Sequence, residues 1–331
     1  MLTPPDGVSH EALVQLLGDA WGLAVVSIDY RAVGWGSHHW EAVDTDGVRR
    51  FVTVDDLDSK RQSLSETRST ALGRLRAALA TATDLRDSGA GFVIAPLPTR
   101  AGEPLVAMDS RFGVALYPFV DGQSYSWGGF STPAHRRGIL DLVVALHTAP
   151  TSGLRHAQAD DFVVPHRDEL QLTLEHDGVS WDDPGPYANQ MSKLILENAG
   201  RIRQLLVRYD DLVTQNRQQP SRIVLTHGEP HPGNTMLTSA GWVLIDWDTA
   251  LLAPPERDLW SLDPGDGSVI RAHAEATGTS SKPGTLELYR IRWDLADIAV
   301  YVSHFRRSHS DSLDDAKSWD ELCSLVGQLP T

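Results

Sequence analysis

The sequence predicts an α+β fold in two parts, a small antiparallel sheet with one long helix followed by a larger, mainly helical part. Three observations lead there. Short apolar runs separated by turn residues crowd the first 117 residues. Beyond residue 133 apolar side chains recur at helical spacing, and that helical part is interrupted by two short apolar strands flanking a glycine- and proline-rich loop at 222–246. A chain of 331 residues is long enough for two lobes, each with its own core.

Taken in order, Ser9 can cap a helix whose apolar face carries Leu13, Leu16, Leu17, Ala20 and Trp21. Extended chain follows at 23–33, turns at Gly34-Trp35-Gly36-Ser37 and returns as a strand at 38–43. Asp46-Gly47 marks a tight hairpin into a third strand at 49–54. A long helix spans about 66–86, with further strands at 92–95 and 112–117. Helices are predicted at 133–149, 187–215, 283–307 and 313–327. No internal repeat or low-complexity segment breaks this order.

Composition narrows the partners. A formal charge of −15 argues against nucleic acid or an anionic membrane, and is compatible with a cationic small molecule. The single cysteine, Cys323, excludes an internal disulfide and suits a reducing compartment. Met1-Leu2-Thr3-Pro4-Pro5-Asp6 lacks the basic and apolar regions of a signal peptide, and no apolar run approaches a membrane span. A cytoplasmic protein with no obligate protein partner is expected.

The chemistry concentrates in Thr226-His227-Gly228-Glu229-Pro230-His231-Pro232-Gly233-Asn234 and in Ile245-Asp246-Trp247-Asp248. The apolar run 222–225 reads as a buried strand delivering His227 to its end, and the glycines and prolines that follow forbid regular structure. A hairpin turning at Ser239-Ala240-Gly241 then brings Asn234 and Asp246 to the same end of paired strands. A carboxylate at Glu229, with an amide and a carboxylate able to share Mg²⁺, is what phosphoryl transfer from a nucleotide to a hydroxyl needs. His227 and His231, four apart, would suit zinc only on a helix, which the interleaved Gly228, Pro230 and Pro232 remove. A purely structural polar loop is the other alternative.

These segments resemble the catalytic loop and metal-binding strand of the aminoglycoside phosphotransferase family, antibiotic kinases with the protein-kinase-like fold. The family pattern is His-Gly-Asp, four residues, Asn, then an apolar strand ending Ile-Asp-Trp or Ile-Asp-Phe. The stretch 254–260 is similar to the family's proline-containing segment ending in Asp-Leu, whose aspartate braces the catalytic loop; Asp258 stands there. The resemblance implies a bilobal molecule: a nucleotide lobe at 1–117, a hinge at 118–122 and a catalytic and acceptor lobe at 123–331. It implies Glu229 as base, Asn234 and Asp246 as catalytic metal ligands for Mg²⁺, and ATP or GTP as donor. Gly34, Gly36 and Ser37 fall where the family carries its nucleotide loop, although an ordinary hairpin turn would read the same. Tyr117 would line the back of the base pocket, with the Pro118 carbonyl and the Val120 N–H reading the base edge. His147 matches a Leu-His helix ending and is expected to pack or hydrogen-bond.

Three departures from the family stand out. Glu229 replaces its aspartate and is one methylene longer, and about 1 Å matters to an in-line transfer. Thr53 occupies the place of its phosphate-gripping strand lysine, and no acid lies between Thr67 and Thr83 to pair with one. Arg74 or Lys60 is expected to serve the phosphates instead, unless the helix arginines merely coat a solvated face. For the acceptor, Asp294 and Asp297 beside Trp293, and Asp182 within the acidic stretch 150–186, are the candidates. The expected acceptor is a small molecule with a hydroxyl, of the aminoglycoside, aminocyclitol or nucleoside-antibiotic kind. A metabolic kinase for choline, homoserine or a thiosugar, and a nucleotide-binding pseudokinase, remain open.

Overall fold

Ser9 caps helix α1 (His10–Trp21), its hydroxyl accepting the Ala12 N–H at 3.1 Å. Leu13 and Leu17 of α1 pack on one face of a five-stranded antiparallel sheet, against Trp40, Val52, Val54, Val114 and Leu116. The strands are β1 (Val25–Arg31), β2 (His38–Asp44) and β3 (Arg49–Asp56). After α2 (Arg68–Asp87) come β4 (Val106–Met108) and β5 (Phe112–Pro118), giving the order β1-β2-β3-β5-β4. Leu75 and Leu79 of α2 cover the other face at Leu105 and Ala115. The sheet is therefore covered on both sides at β5, which is why that strand reads as an apolar run, whereas β1 keeps Val26, Ser27, Asp29 and Arg31 exposed. The computed structural model describes residues 1–175, 185–219 and 221–329.

The larger part begins with β6 (Gln123–Ser124), α3 (Pro133–Thr148), α4 (Arg167–Glu175), α5 (Ala188–Glu197) and α6 (Ala199–Gln218). It continues through β7 (Val224–Thr226), β8 (Thr235–Thr238), β9 (Gly241–Leu244), β10 (Leu251–Ala253), α7 (Glu256–Leu262), α8 (Ser268–Thr277), α9 (Pro283–Phe305) and α10 (Leu313–Gln328). α9 is the axis of its main core, packed by Leu288, Leu295, Ile298 and Val302 against α4, α5, α6 and α10. A second core joins α3, Leu225, Leu244, Trp247 and Leu259 to Ala78, Ala82 and Leu85 of α2. Helix α2 thus anchors the sheet to the helical part, and packing runs across residue 117.

Two predicted elements take another form. Residues 92–95 are not a strand: Val93 makes one parallel bridge to Leu244, and Ile94 N–H reaches Leu244 O at 3.1 Å. Pro96 and Pro98 follow, lack N–H donors and stop a ladder from propagating. The helix predicted over 187–215 is two, broken at Asn198, whose side-chain amide caps Leu194 O at 2.8 Å in competition with the backbone.

Candidate active site

The site is built on a short strand with a strict connection. β7 pairs antiparallel with β10, Thr226 opposite Leu251, and delivers His227 into the interior. His227 Nε2 donates to Ile245 O at 2.9 Å and Nδ1 accepts the Glu229 N–H at 3.2 Å, so one neutral tautomer satisfies both. Burial holds its pKa below the usual histidine range and favours that neutral form. The imidazole ties the loop to the strand end at 245 and holds no metal. Gly228 follows at φ 101, and a Cβ there would sit 2.5 Å from the Arg257 guanidinium, so only glycine fits. Asp258, fully buried at the start of α7, accepts the His227 N–H at 2.9 Å and the Gly228 N–H at 2.6 Å. Burial opposes its ionisation most strongly, but the hydrogen bond from His147, together with the electrostatic pull of His147, Arg257 and His227, keeps the carboxyl below its ordinary range.

Glu229 leaves that braced turn with its side chain 35 % exposed. Among the described residues its carboxylate accepts no hydrogen bond; the nearest cation-forming group is His231 Nε2 at 3.7 Å. Asn234 donates its amide N–H to Glu229 O at 3.1 Å, which fixes the amide and leaves Oδ1 without a protein partner among the described residues. β8 and β9 then pair, Thr235 opposite Leu244, and the Ile245 N–H reaches Asn234 O at 3.0 Å. Asn234 and Asp246 therefore meet at one end of the hairpin. Asp246 holds the left-handed conformation, φ 63, and hydrogen-bonds to Asp248. Burial, and then the Asp248 charge, push the Asp246 carboxyl well above the carboxylate range. An amide oxygen beside two crowded carboxyls is an oxygen-only donor set that a hard cation would relieve. Mg²⁺ takes one or two carboxylates and completes its shell with phosphate and water. No cluster of three or more His, Cys, Asp or Glu that could hold a metal ion occurs among the described residues, so a cation here would rest on two carboxyls and the Asn234 amide.

Lys60 reaches this point from the sheet. The turn at Leu57–Lys60 follows β3 directly, with Ser59 and Lys60 N–H groups on Asp56 O. Its Nζ lies 2.6 Å from Asp248 Oδ2 and 3.1 Å from Asp55 Oδ1, with the side chain 23 % exposed. Burial opposes its charge, but Asp248, Asp55 and Asp246 together raise its pKa well above the lysine range. Arg74 is engaged elsewhere: its guanidinium binds Glu66 and the Lys60 carbonyl, bracing the turn that carries Lys60. Asp55 also accepts from Ser37 Oγ at 2.6 Å, which joins the Gly34–Ser37 turn to the same cluster. Gly34 and Gly36 have φ 69 and 83, and Trp35 between them meets Tyr301 of α9 and Lys317 of α10, the ammonium 4.7 Å from its ring centre.

Tyr117, expected at the back of a base pocket, sits beside Thr53, with burial and the charges of Asp55, Asp246 and Asp248 pushing its phenol up. It thus stands near the carboxylates of Asp55, Asp246 and Asp248. Pro118 closes β5 opposite Arg50, and half-buried Val120 begins the connection to β6.

On the other side of Glu229 opens a cleft of about 380 Å³. Trp127, Trp260 and Trp293 line it, with His231, Asp263 and Arg290. Trp260 and Trp293 stand 5.5 Å apart, and Trp293 meets His231 edge-on at 6.3 Å. Asp297, one turn beyond Trp293 on α9, is pushed up to about 8 by burial and then by Glu229, Asp294 and Glu321. It therefore neighbours the Glu229 carboxylate. Asp294 instead lines a separate groove with Arg201, Arg208 and Glu287.

A family model described as the phosphotransferase enzyme family matches residues 30–285. The chain belongs to the phosphotransferase enzyme family. A curated relative of this phosphotransferase, protein StrN of Streptomyces griseus, is 31 % identical over 255 residues, 72 % of each chain. The fold is that of spectinomycin phosphotransferase in its complex with ADP and spectinomycin, with a TM-score of 0.69 at 19 % identity over 98 % of this chain and 99 % of that one. Choline kinase from Streptococcus pneumoniae shares it less closely, at a TM-score of 0.57 and 14 % identity over 96 % and 99 %. Macrolide 2'-phosphotransferase from Brachybacterium faecium does so at 0.55 and 16 % over 97 % and 99 %.

In this phosphotransferase the structure gathers Glu229, Asn234, Asp246, Lys60, Ser37 and Tyr117 in one place, with Asp297 close behind Glu229. Arg74 and Asp294 stand apart from them, and Asp182 lies outside the described residues. Other acids of the stretch 150–186 serve the fold: Asp160 is held by Arg292 at 2.8 Å, and Glu169 by His166, Ser303 and Arg307. Sequence reading assigned no role to Asp55, Asp248, Trp127 or Trp260. The signal for Asp248 was available as a second acid two residues after Asp246 at a strand end. Asp55, an acid closing an apolar strand, carried a fainter one.

Proposed function

We propose that this phosphotransferase moves the γ-phosphoryl group of ATP or GTP to a hydroxyl of a small ring-bearing antibiotic, an aminoglycoside, aminocyclitol or nucleoside antibiotic, conferring resistance or self-resistance in the cytoplasm. The observation carrying the reading is the position of Glu229. Its carboxylate, which accepts no hydrogen bond among the described residues, lines the tryptophan cleft, and its charge also bears on Asp246. A hydroxyl held in the cleft meets a base that can orient it and take its proton. Asn234 Oδ1 and Asp246, with Asp248, would hold Mg²⁺, which when bound offsets the phosphate charge. The turn at Gly34–Ser37 covers the phosphates, and Tyr117, Pro118 and Val120 border the nucleotide. In this reading residues 1–117 form the nucleotide lobe, 118–122 the hinge and 123–331 the catalytic lobe.

Flat tryptophan faces suit the apolar faces of sugar or cyclitol rings, and Asp263 suits their amino groups, as does Asp297 once an ammonium beside it restores its charge. The fold shared with a spectinomycin phosphotransferase supports the aminocyclitol member of the set. One observation favours a second reading: three tryptophans beside carboxyls also suit a quaternary ammonium, as in a choline-type acceptor.

A mass-spectrometric screen with Mg²⁺ and either ATP or GTP separates them. An antibiotic acceptor gaining one phosphoryl group, with turnover falling about 10²- to 10⁴-fold in Glu229→Gln, is the expected result. Phosphorylation of choline or another metabolite alone would replace it with the second reading. Nucleotide binding without transfer to any acceptor would overturn both.

A further inference from the structure

Resting on the kinase reading, one side chain has a further role. Asp55, Asp246 and Asp248 surround a single ammonium, that of Lys60, which touches Asp248 at 2.6 Å and Asp55 at 3.1 Å. The carboxylates outnumber it, and Asp248 adjoins Asp246, the acid that shares a hairpin end with Asn234. The Lys60 backbone is pinned by hydrogen bonds, whereas its side chain is held by ion pairs at the ammonium alone. Arg74 grips the carbonyl and Glu66, and Asp56 O holds the N–H. The four-carbon stem, by contrast, is held only through its ammonium, and the side chain is 23 % exposed. A compact cation on a flexible stem can exchange one anion for another at little cost in strain.

We propose that Lys60 is a place-holding cation: without nucleotide it neutralises Asp248 and so competes with a divalent cation for that carboxylate, and with nucleotide it releases Asp248 and binds the phosphate oxygens. Thr53, on β3 beside Tyr117, carries no charge for that task, and Arg74, engaged below the turn, is not placed for it. Ser37, bound to the same Asp55, places the glycine turn next to the released ammonium.

Two opposite changes in one variant test this. In Lys60→Met, Mn²⁺ alone, followed by electron paramagnetic resonance without nucleotide, should bind roughly tenfold or more tightly than to the wild type, because a competing charge is gone. The affinity for the metal–nucleotide, measured by calorimetry, should fall roughly tenfold or more in that same variant. Lys60→Arg keeps the charge and should leave Mn²⁺ binding near the wild-type level. A merely structural lysine would weaken both or neither. Mn²⁺ affinity unchanged or lower in Lys60→Met, or nucleotide affinity unchanged, overturns the proposal. Should Lys60→Met not fold, Lys60→Gln removes the same charge, and Mn²⁺ affinity unchanged or lower there, or nucleotide affinity unchanged, would overturn the proposal equally. The Mn²⁺ arm involves no turnover, so it stands or falls apart from the acceptor screen.

Discussion

His147 Nε2 lies 3.0 Å from Asp258 Oδ2, both side chains fully enclosed, although 111 residues separate them in sequence. The pair holds the same carboxylate that accepts the N–H groups of His227 and Gly228, so α3 and α7 together set the turn from which Glu229 emerges. Asp258→Ala would leave both amides and the imidazole unpaired in the interior. It should destabilise the protein by about 2–5 kcal/mol in urea unfolding. Asp258→Asn keeps one acceptor oxygen and should cost less. Turnover should fall in both.

The chain of contacts continues to His273, whose Nε2 is 3.0 Å from His147 Nδ1. Its own Nδ1 has no hydrogen-bond partner among the described residues. Burial, reinforced by His147, lowers its pKa from 6.5 to about 4. The unfolded chain therefore binds a proton that the folded one refuses. This contribution to stability is intact above about pH 6.5 and is lost as pH falls toward about 4. Urea midpoints should drop across that interval. His273→Gln, which can still donate to His147 and does not titrate, should flatten the slope.

Trp293 lines the tryptophan cleft, where it meets Trp260 and, edge-on, His231. Trp293→Ala should raise the acceptor KM roughly tenfold, the scale of one aromatic contact, while the nucleotide affinity stays unchanged. Calorimetry with nucleotide alone beside steady-state acceptor kinetics checks both halves.

What could be read in the sequence was local. The loop from His227 to Asn234 and the hairpin to Asp246 are close in sequence, so turn residues and apolar runs dictate them. The same holds for the Ser9 cap and the Asp46-Gly47 hairpin. Contacts made across the cleft were harder to read. Arg74 looked as suitable as Lys60 for the phosphates, because both are cations in one segment. Only tertiary packing turns one toward Asp248 and the other under the turn. The break at Asn198 was missed because an asparagine within a helical pattern is ambiguous until its side chain is seen on Leu194 O. Trp127, Trp260 and Trp293 come from three distant segments, and nothing in their spacing announces a shared cleft.

Asp246 combines a left-handed backbone, φ 63, with a carboxyl crowded against Asp248. Both features are unfavourable for the resting fold, by about 1 kcal/mol or more for the backbone alone. A glycine at 246 would relieve both. Selection for heat resistance without selection for turnover should therefore enrich Asp246→Gly, and such an enrichment experiment would locate the catalytic centre without any knowledge of the substrate.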